Sequence, residues 1–105
     1  MRPYASLRRA AEFSRMRQRG RRYSAGALTV YRADPLRADH ASVVGITVAK
    51  PVGKAVVRNK VRRRVAAILQ QMLAGRRLRV LVVARPAAAS APFAQLRNEL
   101  ERALV

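Results

Sequence analysis

The chain has 105 residues, and half of them are hydrophobic, which suffices for one packed domain and argues against a wholly disordered basic tail. It carries 23 Lys+Arg against 5 Asp+Glu, a formal net charge of +18. The absence of cysteine and the presence of one histidine, His40, exclude a disulfide scaffold, a cysteine zinc site, a thiol nucleophile and a two-histidine ribonuclease mechanism.

A helix and two strands are predicted in the first 50 residues. Ser6 is predicted to cap a helix over Leu7–Arg19, which Gly20 would end. Residues 26–33 alternate between apolar and polar positions, as expected of a half-buried strand. Ser42–Lys50 is rich in β-branched residues and predicts the second strand.

The remaining residues predict two helices around one strand. The longer helix would run from Ala55 to Ala74 and end at Gly75. Leu78–Ala84 is nearly all apolar and predicts a central strand. Ser90 is predicted to cap the last helix, with Pro92 in its first turn. The predicted inward-facing side chains of this helix are Phe93, Leu96, Leu100 and Leu104.

Together these elements predict an α+β fold, with one domain over residues 1–105 and a small mixed sheet packed by helices. The element order is α-β-β-α-β-α, and a further short strand near Arg22–Ser24 stays open. The strand-helix-strand succession over residues 42–84 predicts a parallel strand pair with a helical crossover.

The charge is unevenly distributed along the chain. Residues 1–65 contain 17 basic and three acidic residues, and no acid occurs between Asp39 and Glu99. Such a field repels itself unless a polyanion neutralises it, and nucleic acid is the expected polyanion. A membrane surface ranks lower, because the chain has no tryptophan anchor and no lipidation signal. No apolar run exceeds five residues and no secretion signal is visible, so the cytoplasm is the expected compartment.

The stretch Lys50–Arg64 is the most informative part of the sequence. On a helical wheel, Arg58 and Arg62 lie one turn apart beside the apolar stripe, and Asn59 and Arg63 form the next row. Guanidinium groups grip phosphates, and such a donor-rich surface suits the phosphates and 2′-hydroxyls of A-form RNA. The alternative is a solvated basic helix face, but a run without acids favours binding.

The segment Gly53–Arg64 resembles the arginine-rich signature of the bacterial ribonuclease P protein family, in which an Ala-Val-x-Arg-Asn opening precedes spaced basic residues. Ala55–Asn59 matches that opening, and Arg62 and Arg63 occupy the position of its Lys-Arg pair. Three further segments are similar to the family's first helix, to the strand entering the motif and to the last strand. They are Glu12-Phe13 with Gly20, Val44–Lys50 and Val80–Pro86.

The resemblance implies the protein subunit of an endoribonuclease whose chemistry lies in a catalytic RNA. That RNA would hold the Mg²⁺ ions and cleave precursor tRNA to its mature 5′ end. The implied partners are the catalytic RNA and precursor tRNA, with no protein partner required and no membrane. No catalytic or metal-binding residue is expected on this chain. The family also implies a left-handed crossover between the parallel strands, against the usual right-handed rule.

Site residues are carried over by position. The catalytic RNA would be contacted by Arg58, Asn59, Lys60, Arg62 and Arg63. The single-stranded 5′ leader would lie in a cleft between the first helix and the sheet, contacted by Phe13, Arg17, Tyr31 and Lys50.

Elementary chemistry supports the cleft residues, because aromatic faces stack on unpaired bases while cations follow the backbone. For Phe13, core packing is nearly as good an interpretation. Tyr31 lies on the strand face opposite Leu28 and Val30, which favours a groove. Arg17 stands where a second aromatic is usual in the family. Three further positions depart from the family pattern, namely Pro51, Ala66 and Ala67.

Three rival functions share parts of this pattern. A ribosomal or other structural RNA-binding protein would share the charge and the basic helix but need no cleft. A DNA reader would place the long helix in a major groove, yet that helix has few base-reading side chains beyond Asn59. A stand-alone nuclease lacks support, because the five acids are scattered and form no paired-carboxylate motif.

Overall fold

The apolar segment predicted to be central does lie at the centre of a mixed sheet. The computed structural model describes residues 4–105, apart from the side chain of Ala25. The spatial order of the five strands is β1-β4-β5-β3-β2. β1, β4 and β5 are parallel, whereas β3 runs antiparallel to β5 and β2 antiparallel to β3. The strands are β1 (Tyr4–Ser6), β2 (Arg21–Ala25), β3 (Leu28–Ala33), β4 (Ser42–Val48) and β5 (Arg79–Ala84).

Three helices cover the sheet, which confirms the predicted α+β class and the mixed sheet. Short 3-10 turns, at Lys50–Val52 and Pro86–Ala89, follow β4 and β5. The second helix connects the parallel strands β4 and β5, as predicted, while the hand of that crossover stays a prediction. The helices are α1 (Ala10–Arg19), α2 (Ala55–Met72) and α3 (Phe93–Leu104).

Alternation along β5 divides the core into two layers. Val80 and Val82 belong to the larger cluster, which contains the apolar stripes of α2 and α3. Leu81 points to the other face and packs with Leu7 and Met16, below α1. Because successive strand residues face opposite sides, one apolar strand supplies both layers.

The prediction for the N-terminal segment was wrong at its start. Ser6 ends β1 and does not cap a helix, because the backbone N–H of Leu7 donates to the Val44 carbonyl at 2.8 Å and continues the ladder. Helix α1 begins at Ala10, and the Glu12 carboxylate accepts the N–H groups of Arg8 and Arg9. These bonds lower the pKa of Glu12. The predicted end at Gly20 is confirmed.

The other boundaries differ from the predictions by a few residues. Strand β4 ends at Val48, and Lys50 opens the 3-10 turn. Helix α2 ends at Met72, with Gly75 adopting a left-handed φ of 74° three residues later. The strand left open near Arg22–Ser24 exists as β2.

The predicted start and first inward residue of the last helix were also wrong. Pro92, not Ser90, is the capping residue of α3. Phe93 is 43% exposed although it shares the stripe of Leu100, because it is the first residue of the helix and lies at the end of the packed face. The predicted burial of Leu96, Leu100 and Leu104 is confirmed.

A buried carboxylate ties α3 to the β2–β3 hairpin. Glu99 is 9% exposed, and its carboxylate accepts the N–H of Leu28 at 2.9 Å and that of Ala27 at 3.1 Å. The Gln95 amide donates to the same group at 2.9 Å. The hairpin turns through Gly26, whose φ of 38° suits a residue without a side chain. The anion therefore satisfies backbone donors that the turn leaves unpaired.

Replacing Glu99 with Gln should lower the free energy of unfolding by about 2 kcal/mol, because the amide cannot accept all of these N–H bonds and brings donors of its own. Denaturant unfolding measures the change. Glu101→Gln is the matched control, since Glu101 is 47% exposed and makes only a surface pair with Arg97; its cost should be below about 0.5 kcal/mol. Equal costs for both variants would contradict this role of Glu99.

Candidate nucleic-acid interface

The basic face of α2 is open to solvent. Asn59, Lys60, Arg62 and Arg63 are exposed, and Arg58 is partly buried. The Arg58 Nε is inaccessible and has no hydrogen-bond partner among the described residues. Its long stem therefore lies against the protein, and its terminal nitrogens remain available to bind an anion. Arg62 donates to the Asn59 side-chain oxygen at 3.4 Å, which links the two predicted rows.

Arg64 belongs to a different surface. Its Nη1 donates to the Ala91 carbonyl at 3.2 Å, in the segment leading into α3. This guanidinium therefore holds α2 to the rest of the fold.

A groove of about 550 Å³ runs along the side of α2 that carries Arg62 and Arg63. Its opposite wall includes Ser6, Leu7 and Phe13, so it joins the basic helix to the α1 side of the sheet. The remaining lining residues are Tyr4, Val44, Gly45, Ile46, Ala66, Ala67 and Gln70.

The groove crosses a free strand edge. Strand β1 pairs with β4 only as far as Val44, whereas β4 continues to Val48. The Val44 carbonyl faces β1, so alternation turns the N–H and C=O of Ile46 toward the same, now unpaired, edge. Backbone donors and acceptors thus lie beside guanidinium groups.

Small residues keep this groove open. Ala66 and Ala67, two departures from the family pattern, lie in its wall. At Gly45 a Cβ atom would lie 2.7 Å from Phe13 Cε1 and 2.8 Å from Leu7 Cδ1. The Phe13 ring therefore packs directly against the strand backbone, an approach that only glycine permits.

Phe13 and Tyr31, both predicted for the leader, lie on the same face of the sheet. Each is partly buried and packs against the cluster of Leu7, Met16, Val43 and Leu81, so Phe13 is a core residue and a groove wall at once. Arg17 is exposed one turn after Phe13. Lys50 is exposed beyond the end of β4 and does not line the groove.

Sequence reasoning missed other residues of the Tyr31 face and of the groove. Arg22 is the cross-strand partner of Tyr31 and lies on the same face of the sheet. Only the register of a strand that the sequence left open reveals this pair. Ile46 and Tyr4 were missed because β1 has three residues and no visible periodicity.

Among the described residues, four of the five carboxylates are bonded away from the basic face of α2, and the fifth, Asp34, is exposed just after β3. Asp39 accepts two bonds from Arg79, at 2.8 and 3.0 Å, which ties the β3–β4 connection to β5. The hydrogen bond from Arg79 lowers the pKa of Asp39, so its stabilising effect is present above an unfolded pKa near 3.8 and is lost as the pH falls below it. Glu99 binds backbone groups, and Glu101 pairs with Arg97. Within residues 4–105, no salt bridge involves the predicted RNA-binding residues.

The side chains that the structure describes do not form a magnesium site. Within the described part, no three His, Cys, Asp or Glu residues come close enough to hold a metal ion. In the same residues, no helix is both long and apolar enough to cross a membrane.

An exposed cationic helix face, a groove with free backbone donors and an aromatic wall are features typical of small α+β nucleic-acid-binding proteins. Comparisons with known proteins narrow this class to one family. The model of the family described as Ribonuclease P matches residues 1–105.

Two curated relatives carry the name ribonuclease P protein component. The one from Acidothermus cellulolyticus is 40% identical over 100 residues, covering 93% of this chain and 83% of that protein. The one from Thermus oshimai is 43% identical over 104 residues, covering 97% of this chain and 64% of that protein. The chain thus spans slightly less than two thirds of the second relative.

Solved structures agree with this assignment. The ribonuclease P protein of Staphylococcus aureus superposes with a TM-score of 0.81 at 28% identity, covering 92% of this chain and 89% of that one. The protein of Thermotoga maritima shares the fold, with a TM-score of 0.78 at 24% identity and 94% coverage of both chains. The chain belongs to the bacterial ribonuclease P protein family, the protein components of a tRNA-processing ribonucleoprotein nuclease.

Proposed function

We propose that this chain binds the catalytic RNA of ribonuclease P through the exposed face of α2, and the single-stranded 5′ leader of precursor tRNA in the cleft between α1 and the sheet. The observation that carries the proposal is the groove that joins Phe13 to Arg62 and Arg63. A structural RNA-binding protein would need the basic helix but not this groove.

The contact to the catalytic RNA rests on unpaired cations at helical spacing. Arg58 and Arg62 share one row and Asn59 and Arg63 the next, with Lys60 exposed nearby. Guanidinium forks bind phosphate oxygens bidentately, and each contact releases counterions from the RNA. The Asn59 amide, bridged to Arg62, adds a donor for a ribose or base edge.

The leader contact rests on the aromatic face of the cleft. Tyr31 and Phe13 offer π faces to unpaired bases, while Arg17 and Lys50 follow the backbone. Arg22 beside Tyr31 adds a cation to the same face. Stacking tolerates every base, so the cleft accepts leaders of varied sequence.

In this proposal the chain binds and orients RNA, and the catalytic RNA performs the cleavage. Mg²⁺ ions, held by the catalytic RNA, would supply charge stabilisation and an activated water. The chain's own part is to lower the electrostatic repulsion between two RNA molecules and to hold the leader in place. The cytoplasm stays the expected compartment, and no further protein partner is proposed.

Replacing Arg58 and Arg62 together with Gln should weaken binding to the catalytic RNA and flatten its salt dependence. The log–log slope should fall by about 0.7–0.9 for each phosphate that the variant no longer neutralises. Arg64→Gln is the matched control on the same helix, since Arg64 bonds the Ala91 carbonyl instead of facing solvent. Titrations of labelled RNA over a range of salt give the slopes, and an unchanged slope in the double variant would show that this face is only solvated.

Tyr31→Leu should weaken binding of leader-containing precursor tRNA to the holoenzyme by about tenfold, because leucine keeps the packing against Leu81 but has no π face. Tyr31→Phe, which keeps the ring, should bind normally. The affinities of precursor tRNA and leaderless mature tRNA are compared for each variant. An equal loss for both substrates would contradict the leader contact.

A further inference from the structure

A second group of arginines lies at the outer edge of the sheet, on the far side from the open edge of β4. Arg21 begins the outer strand β2, and its direct cross-strand partner in β3 is Arg32. Partners opposite each other in an antiparallel ladder point to the same face, with Cβ atoms about 5 Å apart. Like charges in such a pair destabilise the sheet, so this pairing needs a compensating interaction.

The protein supplies only part of that compensation. Arg32 Nη1 donates to the Ala103 carbonyl in the last turn of α3, at a long 3.5 Å. Arg21 is exposed. Within residues 4–105, neither arginine forms a salt bridge.

The two guanidinium groups share a cavity with a third. A concavity of about 360 Å³ is lined by Arg19, Arg21, Arg32, Ala33 and Asp34. Arg19 is the last residue of α1, and the turn at Gly20, whose N–H donates to the Met16 carbonyl at 2.8 Å, brings it beside the start of β2. Three cations against one carboxylate leave the concavity with a net positive charge.

We infer that Arg19, Arg21 and Arg32 form a second RNA-binding site, which takes a phosphodiester group of the RNA backbone. One phosphate between Arg21 and Arg32 would convert a repulsive cross-strand pair into two charge-assisted hydrogen bonds. The inference rests on the proposed function for its choice of RNA as the polyanion. It goes beyond that function, because none of the three arginines lines the α2 groove or is among the residues proposed for the leader.

Two separated sites on one rigid sheet change how the protein holds RNA. An RNA segment in the groove at β4 is separated from Arg21 by strands β5 and β3, so the second site contacts a different RNA segment. The second contact becomes intramolecular once the first has formed, which raises the overall affinity without strengthening either site.

The test compares Arg21→Gln and Arg19→Gln with Arg97→Gln, a control that removes the same charge from an exposed position on α3. The full chain is titrated against the catalytic RNA, and the holoenzyme against precursor tRNA, each over a range of salt. The two arginine variants should lose about three- to tenfold in affinity at low salt. Their log–log slope should fall by about 0.7–0.9 for each phosphate that is no longer bound.

The two titrations identify the source of the phosphate. A loss of affinity in the first assigns it to the catalytic RNA, and a loss only in the second assigns it to precursor tRNA; both support the site. Arg21 and Arg19 variants that match Arg97→Gln in both titrations would overturn it, even if Arg58 and Arg62 behave as proposed. Failure of the unaltered chain to bind catalytic RNA would overturn the proposed function and this inference with it.

Thermal melting of the free protein separates binding from folding. Arg21→Gln should melt at a higher temperature than the unaltered chain at low salt, because it removes the repulsion with Arg32, and the difference should shrink as salt screens the charges. Weaker RNA binding by a more stable protein cannot result from misfolding. A lower melting temperature together with weaker binding would overturn the inference by assigning Arg21 a structural role.

Discussion

Mutual repulsion among cations that the protein leaves unneutralised is the constraint on which this structure depends. The formal net charge is +18, and most of the few carboxylates are bonded to other groups of the protein. Asp39 fixes Arg79, and Glu99 satisfies the backbone of a hairpin. The basic face of α2 therefore has no anionic partner within the described residues, and a polyanion is the partner that its charge requires.

The groove defines one orientation for RNA bound to this charged surface. A uniformly basic surface would hold RNA in many orientations, whereas the groove leads from Arg62 and Arg63 over a free strand edge to Phe13. Its width depends on small side chains. Ala66 and Ala67 depart from the family pattern, and the structure shows that they form part of the wall. Gly45 lets the Phe13 ring approach the strand, so one glycine positions both the α1 layer and the aromatic wall.

The sequence predicted those features that have a local cause. All three features of this kind are found in the structure: the apolar stripe of α2, the apolar run of β5 and the end of α1 at Gly20. Strand β1 has no local cause, because its three residues become a strand only through pairing with β4. The misplaced start of α1 has the same origin, since Leu7 bonds Val44 instead of opening a helix. Among the site residues, helical spacing placed the α2 rows correctly, but the pairs Arg22–Tyr31 and Arg21–Arg32 required the register of β2.

Reconstitution of precursor-tRNA cleavage decides whether this chain serves a catalytic RNA. The chain is mixed with a bacterial ribonuclease P RNA and leader-containing precursor tRNA at a low Mg²⁺ concentration, at which the RNA alone is slow. We expect no cleavage by the protein alone and restored 5′ maturation by the mixture. Cleavage by the isolated protein, or no stimulation of any bacterial ribonuclease P RNA, would contradict the proposed role.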